Sequence, residues 1–195
     1  DSMTIKTTLA LSNHPRRPTG AISIVGEVRD PSNLEAARLV GKEEARWVLP
    51  LEVISKLTVQ TCRQSGLSTV YSELLRFEGD EIYFTDQAEL AGLTYLECQM
   101  RFASSTVIGV ATADGPVVNP APERVLVAGE QLIVIAEDDS TITITPAGVP
   151  DLSKVTGVGK DESKPERTLI LGSNSQLPLM LGEFNEYVAP GSVVT

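Results

Sequence analysis

The sequence predicts an α/β plus α+β protein: part of a parallel strand–helix unit, a mainly antiparallel middle unit, and the opening of a second strand–helix unit. Three observations predict it. Between residues 21 and 63 short apolar strands alternate with helical patterns, the rhythm of a parallel sheet. Between residues 106 and 138 apolar strands follow one another across tight turns, which is the connectivity of antiparallel pairing. From Thr168 a strand, a turn, a helix and a strand succeed one another.

Taken in order, Thr7–Ser12 (TTLALS) reads as a short buried strand, followed by the polar loop NHPRRPTG and a strand over Ala21–Val28. Asp30 ends that strand. Asn33 is placed to cap a helix through Leu34, Ala37, Leu39 and Val40, closed by Gly41. Arg46–Leu49 is a further short strand. Pro50 opens a helix carrying Val53, Ile54, Leu57, Thr58 and Cys62 (or Thr61) on one stripe, and Gly66 stops it. A second amphipathic helix with Leu67, Val70, Tyr71, Leu74 and Leu75 follows at once, with Gly79 after it. Two consecutive helices leave the parallel rhythm.

From Asp80 the pattern changes. Glu81–Phe84 is a strand, residues 90–93 connect, and Thr94 with Glu97 forms a capping box ahead of a short helix centred on CQMRFA. Strand TVIGVAT, the Asp114–Gly115 turn, strand PVVNP, a spacer and strand QLIVIAED follow. Thr141–Thr145 (TITIT) alternates as an edge strand does. Residues 146–167, rich in Gly, Pro, Ser and charge, read as a linker. Thr168–Gly172 is a strand, Leu177–Tyr187 a helix and Val193–Val194 a strand. The predicted layout is therefore a partial Rossmann-like unit at 1–65, a crossover helix at 66–79, an α+β subdomain at 80–145, a linker at 146–167 and the start of a second Rossmann-like unit at 168–195.

The 195 residues are 42% hydrophobic and 22% charged, the composition of a folded domain, with a formal net charge of −10. That balance argues against nucleic acid or an anionic membrane as partner, because phosphate binding needs clustered Lys and Arg. Cys62 and Cys98, both in apolar helical patterns, are expected as free thiols. No apolar run reaches the roughly 18 residues that span a bilayer. His14 is the only histidine, so triad or Cys–His chemistry has nothing to build on. Zinc likewise lacks ligand spacing.

The residues GLSTVYSELLRFEGDEIYF (66–84), VIGVATADGPVVNP (107–120) and TLILGSN…EFNEYVAPGS (168–192) resemble the RCK (TrkA-type) regulatory domains of the Castor/Pollux ion channel family, including its bacterial relatives. The stretch AGEQLIVI resembles the C-terminal ligand-sensing subdomain of RCK domains. The resemblance implies a gating-ring fragment on the cytoplasmic side of a membrane, part of a potassium or other cation channel or transporter. It implies self-association as a dimer or higher ring, a pore domain in the same parent protein, and a small ligand or ion as signal. Paired helices at 50–75 would clasp a neighbouring subunit. The turn Gly172-Ser173-Asn174-Ser175-Gln176 departs from the glycine pattern that lets backbone approach a pyrophosphate, which argues against dinucleotide binding there.

Three sets of residues carry what chemistry the sequence offers. Asn13, Arg16 and Arg17 lie in a loop expected to follow a strand's carboxyl end, where a nucleotide phosphate would bind. Gly109 permits close backbone approach beside Asn119–Pro120, so this pair marks a ligand cleft. Glu78, Asp80 and Glu81, with Glu137, Asp138 and Asp139, offer hard oxygen ligands for calcium, without the spacing of a recognisable loop. The effector expected is therefore calcium or a nucleotide, and catalysis is not expected. Two other readings stay open: a truncated nucleotide-binding oxidoreductase-like enzyme, and a stand-alone TrkA-like regulatory subunit.

Overall fold

The structure is a computed structural model, and it describes residues 1–17, 19–20, 22–148 and 164–195. In chain order the elements are α1 (Ser2–Ser12), β1 (Ile24–Glu27), α2 (Leu34–Gly41), β2 (Ala45–Val48), α3 (Pro50–Arg63), α4 (Leu67–Leu74), β3 (Glu81–Thr85), α5 (Tyr95–Gln99), β4 (Thr106–Thr112), β5 (Gly115–Val118), β6 (Gln131–Ala136), β7 (Arg167–Thr168), α6 (Leu177–Tyr187) and β8 (Val193–Val194). Two compact units result: the described residues of Asp1–Ser65 with Asp161–Thr195, and those of Gly66–Lys160. Most of the predicted linker lies outside the described residues.

In the first unit β1 and β2 pair in parallel, as do β7 and β8. Along β1 and β2 every second residue faces inward, and Gly26 on that face leaves room for a large neighbour. A Cβ at Gly26 would lie 2.4 Å from Cζ3 of Trp47, and one at Gly41 would lie 2.3 Å from the Ala45 Cβ. Gly41 is therefore required for space, and the left-handed residue that ends α2 is Lys42, at φ 48°. Asn33 stands at the N-cap of α2, but its side chain makes no capping bond there. Asp30 opens the preceding 3-10 turn by accepting from the Ser32 N–H and hydroxyl, at 2.9 and 2.7 Å. Asn33 Nδ2 instead donates to the Asp1 carboxylate, which also accepts the N–H groups of Arg29 and Asp30, each at 2.9 Å.

The segment expected as a strand over 7–12 is helical. Its inward stripe is Thr4, Ile5, Thr8 and Ser12, at helical spacing but mostly polar, with only Thr8 buried. Met3, Leu9 and Leu11 face outward, so the apolar alternation that suggests a strand runs along the wrong face. α3 packs on α6 within this unit, with Ser55, Val59 and Phe184 buried. Gly66, at φ 86°, separates α3 from α4.

In the second unit the strands pair antiparallel in the order β3-β6-β4-β5. One face carries the core: Val107, Val110, Leu132 and Val134, packed with Leu90, Tyr95, Cys98 and Leu126. Thr94 and Glu97 form the expected capping box, but α5 begins at Tyr95 and ends at Gln99 rather than spanning CQMRFA. The spacer before β6 is pinned by Arg124, whose guanidinium donates to Glu130 at 2.5 Å, and by the Leu126 N–H, which donates to the Leu93 carbonyl at 2.8 Å. Residues 141–145 do not form a strand. A 3-10 turn over Asp139–Thr141 leads into one bridge, Ile144 with Phe102. The alternation is real, since Ile142 and Ile144 pack on the core. Its backbone meets the irregular end of α5 instead of a strand, with the Thr145 N–H on the Arg101 carbonyl at 2.7 Å.

Candidate functional site

The expected phosphate loop follows a helix, not a strand, and its side chains hold the loop itself. Asn13 ends α1 and its Nδ2 donates to the Leu9 carbonyl at 2.8 Å. The Arg17 guanidinium donates to the carbonyls of Ser12 and Gly20, at 2.6 and 3.1 Å, and pairs with Glu44. The hydrogen bond from Arg17 holds the Glu44 carboxyl below the usual carboxylate range. Arg16 is exposed and its backbone N–H donates to His14 Nδ1 at 3.1 Å. The three residues share a loop without converging on one point.

Gly109 and Asn119 are brought together by the β4–β5 hairpin, where Gly109 pairs with Val118. The register of β4 against β6 shifts between Val107 and Gly109, a bulge at Ile108. The Ile108 carbonyl accepts the Asn119 N–H at 2.8 Å. Asn119 takes φ 49°, a conformation Asn tolerates better than most residues. A Cβ at Gly109 would sit 2.5 Å from the Val117 carbonyl oxygen and 3.1 Å from the Val118 Cα. The backbone that Gly109 admits is thus that of β5.

The acidic runs do come together. Glu81 pairs with Ala136, so Glu78–Glu81 and Glu137–Asp139 lie at the same end of the sheet. Two of their carboxylates are occupied locally: Glu81 accepts the Tyr83 hydroxyl at 2.9 Å, and Asp138 accepts the Ser140 N–H and hydroxyl. Among the described residues no three His, Cys, Asp or Glu side chains gather as a metal cage. Hydrogen bonding to Glu81, then burial and the charges of Glu81, Asp138 and Asp139, push the Tyr83 hydroxyl up to about 12.

A groove of about 400 Å³ opens beside this end, lined by Thr69, Val70, Glu73, Leu74, Asp80 and Ile135. The sequence reading missed it. Its signal was the amphipathic stripe that brings Val70 and Leu74 together on α4.

The fold is shared with the human SLO3 gating ring, which superposes over 88% of the chain and 40% of its own length with a TM-score of 0.59 at 14% identity. The family model described as "Castor and Pollux, part of voltage-gated ion channel" matches residues 51–151, just over half of the chain. The chain belongs to the Castor/Pollux family. "Probable ion channel SYM8" of Pisum sativum is 32% identical over 174 residues, 87% of the chain and 19% of the relative. "Ion channel CASTOR" of Lotus japonicus is 30% identical over 198 residues, 98% of the chain and 23% of the relative. The chain thus spans about a fifth of the length of these relatives. No helix among the described residues is long and apolar enough to cross a membrane.

Proposed function

We propose that the chain is a cytoplasmic-side regulatory segment of a cation channel, part of a gating ring that senses a small ligand or ion. The single observation that carries this reading is the Castor/Pollux match over residues 51–151, and the fold shared with the SLO3 gating ring supports it. The role is mechanical: an effector binds one arrangement of subunits better than another, and the difference in affinity shifts a pore domain in the same parent. The chain assembles with copies of itself, and no bond is made or broken. Calcium or a nucleotide is the effector class this reading favours, the acidic end of the second unit serving the former and the exposed Arg16 the latter.

The test pairs light-scattering mass with thermal denaturation in calcium, NAD, ATP and cyclic dinucleotides. The expected result is an oligomer whose Tm rises with the concentration of one of these, as binding to the folded state requires. A monomer at every concentration, unmoved by all four, contradicts the reading.

A further inference from the structure

The outer face of the four-stranded sheet is built of rows that the strand pairing defines. Directly opposed residues of an antiparallel ladder share a face. Ile82, Ile135 and Thr106 therefore form one outer row, and Phe84, Ile133, Gly109 and Val118 the next. An antiparallel sheet with one wet face reads apolar inside and polar outside. This one is apolar on both sides: Ile82 is 50% exposed, Phe84 54% and Val118 65%. At one end the face continues into the groove floored by Val70, Leu74 and Ile135, with Glu73 and Asp80 on its rim. Glu73 has the exposed Arg76 at 3.6 Å, and Asp80 has no ion pair among the described residues.

Charge selects the occupant. Residues 66–148 hold thirteen Asp and Glu against Arg76, Arg101 and Arg124 and no lysine, a net of −10. The remaining residues hold thirteen of each sign, so the chain's entire net charge falls within residues 66–148. Contact between like-charged surfaces costs several kcal/mol. A second copy seated face to face would bring −10 against −10, and an anionic lipid surface is repelled in the same way. An apolar partner of opposite sign meets neither obstacle.

We propose that this face is the docking surface for a cationic amphipathic helix of a protein partner. Its apolar stripe would lie on the exposed Ile82, Phe84 and Val118, with Ile133 buried beneath them. Lys or Arg stems would cross Val70 and Leu74, with their heads at Glu73 and Asp80, as long cationic side chains bury their stems and keep the charge at the rim.

Calorimetric titration of the chain with a synthetic Leu/Lys amphipathic helix of about 18 residues tests this, with the Leu/Glu counterpart as control. The Lys peptide is expected to bind one to one and the Glu peptide not at all. The double variant Ile82→Ser with Phe84→Ser keeps the net charge and should weaken binding at least about tenfold. Glu73→Gln with Asp80→Asn should weaken it about fivefold and flatten its salt dependence. Val118→Ser, at a more exposed position, provides a milder variant should the double one melt early. Undiminished binding to the folded apolar variants would reduce the interaction to general charge attraction and overturn the proposal. So would failure of the Lys peptide to bind, or a light-scattering dimer that Phe84→Ser dissociates, since a second copy would then be the occupant.

Discussion

The Tyr83 hydroxyl donates to Glu81 at the end of the sheet where Asp138 and Asp139 also gather, and its pKa rises to about 12 from an ordinary 10.0. Raising the pKa of the folded form means that the unfolded chain loses this proton first as pH climbs. The stabilisation is complete below pH 10, is lost between 10 and about 12, and leaves the folded state weakened above that window. Tyr83→Phe is expected to flatten this part of the alkaline denaturation curve, followed by circular dichroism; an unchanged curve would remove Tyr83 from the alkaline transition. Other single residues act through space rather than charge. Gly109 is a glycine because β5 approaches within 2.5 Å of where a Cβ would stand. Gly41 is a glycine because the Ala45 Cβ stands 2.3 Å from where its own would lie.

Among the elements, α3 is tied to α6 and to the residue before β7 by a small set of partly exposed polar contacts. The Arg63 guanidinium sits 5.6 Å from the centroid of the Tyr187 ring and donates to Glu166 at 3.1 Å. Lys56 lies 3.9 Å from Glu183. Partly exposed contacts of this kind each contribute little. Arg63→Ala is therefore expected to lower the Tm by only a few degrees and Arg63→Lys by less, while a Tm unchanged in both would assign the α3–α6 contact to apolar packing alone. α6, β4 and β8 were legible to the residue, because apolar spacing, Pro178 at a helix start and the Asp114–Gly115 turn all agree there. α1 was not, since a helix whose inner stripe is Thr4, Thr8 and Ser12 gives no hydrophobic period to read. The same error moved the phosphate loop: with a helix in place of a strand, Asn13 becomes a helix terminus and Arg17 a strut to Glu44. The acidic runs were visible as composition, but only the β3–β6 register brings them to one end.

On the scale of the whole molecule the charge is divided unevenly, −10 over residues 66–148 and balance over the rest. Counting over the full chain hides this, although the sequence contains it. Self-repulsion of that density opposes the compact state and is screened by salt over about 10 Å at 0.1 M. The Tm of the chain is accordingly expected to rise with potassium chloride from about 50 to about 500 mM, in calorimetric scans; a Tm independent of salt would mean that the acids are spaced widely enough not to interact. The first unit carries a different asset. Its Trp47, the only tryptophan in the chain, lies against Gly26 and Gly41 and is half-buried there. Excited selectively, this indole acts as a built-in optical reporter whose emission describes that unit alone. A ligand that settles on the acidic unit and still alters the colour of Trp47 would reveal, without any label, that one half of the molecule hears what the other has bound.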